Sequence, residues 1–214
     1  QDNADAYLRK QDFLPMSEED RARPKVIYAA ADFAVSKADL ANRTSFTIGG
    51  KCGKNLIHVI DERVDRWASY EIKRIAGLEL KEGWIMEMIA IQRRWKPEFF
   101  FVEDGVIWKA VKRLVYNVMQ EEDCPINIVE IPSIKDKATR GRIYQKWHRA
   151  GMMRFDKDTD WYPGYEQENL RFTGGAQARL DDQFDSTSLL CIGFETYKPG
   201  AAEEEDFTDP EELA

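Results

Sequence analysis

Cysteine, histidine and long apolar runs are the scarce features of this 214-residue chain. Its three cysteines, Cys52, Cys124 and Cys191, lie 72 and 67 residues apart. That spacing leaves no Cys-x-x-Cys pair, no zinc ribbon and no disulfide framework of the small secreted kind, and a reducing compartment fits best. No stretch of 18 apolar residues exists, and the N-terminal QDNADAYLRKQ has neither an apolar signal core nor an initiator Met. The expectation is a soluble chain with no membrane partner, excised from something longer. The two histidines, His58 and His148, have no partner at metal or relay spacing and read as structural. The segment GGKCGKN (Gly49 to Asn55) lacks the spacing of a phosphate loop and leads into a strand instead of a helix, which excludes a nucleotide site there.

What is present suffices for one sizeable core: hydrophobic residues make up 43% of the chain and aromatic residues 12%. The net charge of −8 is unevenly placed. Residues 201–214 carry seven acids and no base, residues 1–25 carry six acids and five bases, and residues 26–200 carry 26 of each. The body is therefore neutral and the excess is a tail, read as disordered or as a docking peptide. A basic patch on the body stays compatible with DNA.

Patterning predicts strands over 26–33, 44–49 and 56–61, a meander, and then an amphipathic helix over about 79–95 stopped by Pro97. FFFV (99–102) is a further strand ending at Glu103, followed by a helix with the stripe Val106, Ile107, Ala110, Val111, Leu114, Val115, Val118 and Met119. INIVEI (126–131) is another strand. The basic segment 133–142 opens a helix to about Ala150, MMRF is a short extended piece, and WYPGYEQENLRFTGG reads as an aromatic, glycine-rich loop. The last helix runs from near Leu180 to near Tyr197. This order implies an α/β domain over 26–200, a mixed central sheet with helices on its faces.

Acids stand at the ends of apolar elements: Asp32 closes one strand, Glu103 another, and Asp181, Asp182 and Asp185 crowd the first turns of the last helix within an arc of about 100°. Each has a plain alternative reading as a turn, strand-tip or capping residue. Together they suit one crevice at the C-terminal strand ends, where mutual repulsion calls for a cation. Oxygen donors without nearby His or Cys favour Mg²⁺ or Mn²⁺ over zinc, and two such ions about 3.5–4 Å apart serve phosphodiester hydrolysis. Lys135, Lys137, Arg140 and Arg142 face one acid in their segment, Asp136, and read either as a DNA-phosphate contact or as a solvated surface. Trp161, Tyr162 and Tyr165 read as a packed surface loop or as the flank of a groove.

The first-strand acid in YAAADFAVSKADLANRTS, the WKPEFFFVEDG segment, KDKATRGRI followed by GMMRF, and RLDDQFDSTSLL together resemble the C-terminal nuclease domain of the terminase large subunit, the DNA-packaging protein of tailed phages. The resemblance spans about residues 26–197 and implies a ribonuclease H-like fold. It makes Asp32 the bridging metal ligand, Glu103 the second acid, and Asp182 the third, slightly ahead of Asp181 and Asp185. Lys137 and Arg140 match the family's basic helix start, while Leu180 stands where many relatives carry a histidine. The implied protein is a Mg²⁺- or Mn²⁺-dependent endonuclease cutting concatemeric double-stranded viral DNA in the host cytoplasm, with portal and small terminase subunit as partners. The family's ATPase motor is missing, so residues 1–25 are expected as linker or motor end. The alternatives are another ribonuclease H-like nuclease, such as a junction resolvase or transposase core, or a non-catalytic module docking portal or small subunit through the tail.

Overall fold

The protein is described by a computed structural model at residues 7–34, 43–53, 55–134, 136–173 and 181–197. Strand β1 (Val26–Asp32) lies inside a six-stranded sheet with β2 (Thr44–Lys51), β3 (Ile57–Asp65), β6 (Phe99–Asp104), β7 (Ile128–Pro132) and β8 (Met153–Phe155), in the order β7-β6-β1-β2-β3-β8. The meander β1-β2-β3 is antiparallel, whereas β6 and β7 extend the sheet in parallel beyond β1, and β8 runs parallel to β3. The near-continuous apolar run of β1 follows from cover on both faces: Tyr28 and Ala30 join one core cluster, Ala29 and Ala31 the other.

Helices α2 (Trp84–Trp95) and α3 (Val106–Glu121) cover one face through Ile85, Met88, Ile89, Val115 and Val118. The opposite face is covered by α5 (Arg142–Arg149), α6 (Tyr162–Arg171) and α7 (Asp182–Thr196). Every residue of α7 from Asp182 to Phe194 is buried, so it is a core helix, not an amphipathic one. The mixed sheet with helices on both faces is the architecture expected from the sequence.

Local structure departs from expectation in three places. Residues 78–82 are strand β5 (Leu78–Glu82), paired with β4 (Glu71–Ile75) in a separate hairpin, and α2 begins only at Trp84. The hairpin turns at Ala76 and Gly77, both at positive φ (52° and 81°), as a two-residue hairpin turn demands. Leu80, which falls within the helix expected over about 79–95, is an exposed strand residue, as is Leu78 just before it. Tyr162–Arg171 is a helix, not a loop, since Pro163 falls in its first turn, where a missing N–H costs nothing. Tyr162 and Tyr165 are buried in the core and Trp161 is half-buried at a cavity wall.

The third departure divides the basic segment at Gly141 into α4 (Lys137–Arg140) and α5; the Phe184 ring of α7 passes this residue so closely that a Cβ there would lie 2.3 Å from it. The described stretch before β1 packs onto the body. Leu8, Phe13 and Met16 are buried, Pro15 bridges to Phe155, and helix α1 (Glu18–Ala22) is closed by a Ser17–Asp20 capping box. The tail over 201–214 lies outside the described residues. No described helix is long and apolar enough to cross a membrane.

Helix α7 approaches the sheet closely because β2 offers it Gly49 and α7 offers Gly193. A Cβ on Gly193 would meet the Phe101 ring at 2.1 Å, and that ring is held against Tyr28, Phe99 and Tyr197. Gly193→Ala is therefore expected to destabilise the protein by about 1–3 kcal/mol in urea unfolding. Gly164→Ala, whose Cβ meets nothing within 4 Å in α6, is expected to gain up to ~1 kcal/mol.

Candidate active site

Strand geometry brings the first two acids together. Ala31 pairs with Val102 in the parallel β1–β6 ladder, so Asp32 and Glu103 fall side by side one residue further on. Period-two alternation then turns both toward the α7 face, the side to which Tyr28, Ala30 and Phe101 point. The start of α7 supplies the rest: Asp181 at its N-cap, Asp182 and Asp185 in its first turns. Asp32, Glu103, Asp181, Asp182 and Asp185 all line one cavity of about 240 Å³ with Phe33, Ala34 and Ile107. Thus every acid singled out from the sequence reaches a common space.

The basic segment enters that space as counter-charge. Arg140, 5% exposed, donates from Nη1 to Glu103 Oε2 at 3.1 Å and sets Nη2 against Asp185 Oδ1. Lys137 Nζ donates to Asp181 Oδ2 at 2.5 Å and lies 2.9 Å from Asp185 Oδ2. Burial opposes the Lys137 charge, but the Asp185 and Asp181 carboxylates more than offset it. Arg142 faces solvent on α5, and Lys135 lies outside the described residues. Of the four basic candidates, then, two point inward onto acids and one outward.

Burial, followed by the repulsion of Asp185, pushes the Asp32 carboxyl well above the usual carboxylate range; Arg140 opposes this, and Asp182 and Glu103 add to it. Among the described residues none hydrogen-bonds that carboxyl. Burial likewise raises Asp182 to about 6, against the pull of Arg43. Arg43 Nε donates to Asp182 Oδ2 at 3.1 Å, and its Nη2 to Glu168 Oε2. Of the α7 acids, Asp185 acts on the Asp32 carboxyl more strongly than Asp182 does.

As a donor set, these carboxylates suit a hard divalent cation, since no His or Cys lines the cavity. No group of three or more such ligands is gathered tightly enough to hold an ion among the described residues. Arg140 stands between Glu103 and Asp185, and Lys137 between Asp181 and Asp185.

Several residues had no signal in the sequence. Beneath α7, Ser45 and Thr47 of β2 bond Ser186 at 2.8 and 2.7 Å, Thr47 reaches Thr187 at 3.2 Å, and Thr187 continues to Tyr165 at 3.0 Å. Glu62 of β3 accepts from Ser45 at 2.7 Å, and its burial raises its pKa well above the usual range. This hydroxyl chain fixes the rotation of α7 and hence the aim of its acids. Glu62, Glu168 and Arg43 also line a neighbouring cavity of about 380 Å³. His58 and His148 are fully buried, and burial pushes both down to about 4, so neither is charged at neutral pH, the nearby Asp20 notwithstanding.

A mixed sheet of this strand order with helices on both faces is a ribonuclease H-like fold. Within that class, the chain shares its fold with terminase nuclease domains. It matches the large terminase of a thermophilic bacteriophage (TM-score 0.55, 11% identity) over 89% of this chain and 44% of that one. It matches the human cytomegalovirus terminase nuclease domain, Mn soaked and inhibitor bound (TM-score 0.54, 10% identity), over 88% and 94%. A further match is the Thermus phage P74-26 large terminase nuclease domain (TM-score 0.52, 14% identity), over 88% and 93%. The chain thus spans under half of the first of these, a whole large terminase, and nearly all of the two isolated nuclease domains. No family profile and no curated protein matches it by sequence.

A carboxyl whose folded pKa is raised keeps a proton that the unfolded chain releases, so in metal-free protein it costs stability as pH rises above about 4. Asp32→Asn removes that cost. In chelator, the variant is expected to unfold at higher urea than the parent, with a margin that widens from pH 4 to pH 8. A midpoint at pH 8 equal to or below the parent's contradicts the electrostatic account of Asp32.

Proposed function

We propose that this chain is a divalent-cation-dependent endonuclease of double-stranded DNA, acting on concatemeric viral genomes during packaging. The convergence of acids from β1, β6 and α7 on one solvent-reaching cavity carries the reading. Asp32 is the central ligand, flanked by Glu103 and Asp185, with Asp182 and Asp181 at the α7 edge. Mg²⁺ or Mn²⁺ fits these oxygen donors, and manganese was soaked into the cytomegalovirus domain of the same fold. When bound, the metal supplies an activated water and neutralises charge on the phosphate under attack.

The chain's own residues do the remainder. The carboxylates fix where positive charge accumulates, and Phe33, Ala34 and Ile107 keep that wall apolar, which strengthens every charge interaction inside. Lys137 and Arg140 bring positive charge beside the position a scissile phosphate would take, and Arg142 offers a solvent-facing backbone contact. The hydroxyl chain under α7 holds Asp182 and Asp185 in aim, a requirement because misplacement by about 1 Å can cost ~100-fold in rate. The portal and small terminase subunit are its proposed partners, with residues 201–214 as a candidate docking segment, in the host cytoplasm during assembly.

Plasmid nicking tests the reading. Asp32→Asn, Glu103→Gln and Asp185→Asn are each expected to lower the Mn²⁺-supported rate by roughly 100-fold or more while far-ultraviolet circular dichroism is unchanged. Because protons compete for the acids, the parent rate should fall as pH drops through about 6, the value to which Asp182 is raised. Linear duplex should be cut in preference to a four-way junction, and preference for the junction would reassign the substrate to that of a resolvase. Full activity of Asp32→Asn would remove the proposal.

A further inference from the structure

The charge lining the acid cavity does not match the demand of two divalent ions. Among the described residues, the five carboxylates named above share the cavity with Arg43, Lys137 and Arg140, a net charge of −2 when all are ionised. One divalent ion neutralises that wall, and two would leave an excess of +2 in a desolvated place, where unpaired charge is costly. Arg43 is shared with Glu168, which faces the neighbouring cavity. Even with Glu168 included the deficit is three charges, short of the four that two ions bring.

Arg140 and Lys137 behave as space-filling charge more than as structural pairs. A guanidinium that binds a carboxylate for stability makes two parallel, aligned hydrogen bonds. Arg140 instead splits between Glu103 and Asp185, its contact with Asp185 Oδ1 is out of hydrogen-bond alignment, and its buried Nε has no hydrogen-bond partner among the described residues. Lys137 takes the other oxygen of the same Asp185. The two cations therefore bracket the acid that acts most strongly on Asp32.

We propose that Lys137 and Arg140 together stand in for a second divalent cation. The free protein takes one ion, and a second enters only when this +2 pair leaves the carboxylates, as it would for a competing DNA phosphate. This rests on the nuclease reading and sets its resting metal count. Isothermal titration of Mn²⁺ into the full chain without DNA is expected to give one ion per chain. The double variant Lys137→Met/Arg140→Met, which keeps stem volume and removes both charges, is expected to take two.

If the double variant fails to fold without metal, Lys137→Met alone, at a side chain 41% exposed, should bind its ion about tenfold more tightly than the parent. Two ions on the parent, one on the folded double variant, or unchanged affinity in Lys137→Met each overturn the proposal. A parent that takes two ions and nicks plasmid loses only this inference. A parent that takes none and does not nick loses the nuclease reading and the inference with it.

Discussion

Mutual repulsion among desolvated carboxylates is the constraint on which the rest of this protein depends. Asp32, Glu103 and Asp185 come from three elements far apart in sequence, and nothing in their own packing favours bringing them together. The raised pKa of Asp32 records that cost, and Arg140 and Lys137 offset part of it from within. Such a site persists only because the surrounding fold is rigid enough to hold it: two apolar clusters clamp the sheet, and α7 lies buried along nearly its whole length.

That rigidity has a specific construction. Gly193 lets α7 approach Phe101, and Ser45 and Thr47 meet Ser186 and Thr187 through hydroxyls where a purely apolar interface would leave the helix freer to rotate. Hydrogen bonds are directional and dispersion is not, so the polar seam sets the azimuth of the helix while the apolar contacts set its distance. Asp182 and Asp185 inherit their direction from that seam.

Much of this was legible in the sequence, for a physical reason: the strands of a doubly covered sheet read as unbroken apolar runs, and an acid closing such a run is conspicuous. Asp32 after VIYAAA and Glu103 after FFFV stood out in that way, and LDDQFD stood out by density. What stayed hidden depended on partners remote in sequence. Arg43 lay in a turn-rich stretch with nothing to single it out, although it joins Asp182 to Glu168. Glu62 lies one residue beyond the strand expected over 56–61, and its burial against Ser45 of β2 depends on a pairing remote in sequence. The inward turn of Lys137 and Arg140 was likewise invisible, since a basic run has the same composition whether it meets phosphate or carboxylate. The β4–β5 hairpin was missed because Leu80 satisfied helical spacing with Trp84 while the Ala76–Gly77 reversal carried no strong turn signature.

The break at Gly141 bears on how the two inward cations can move. Lys137 and Arg140 ride on a single four-residue turn, capped at one end by Asp136 and separated from α5 at the other by the close pass of Phe184. Because both side chains sit on that one turn, a displacement of it would carry Lys137 and Arg140 together. Electrostatically the turn carries the same valence as a divalent ion, so the proposed exchange of one for the other would leave the charge of the cavity unchanged.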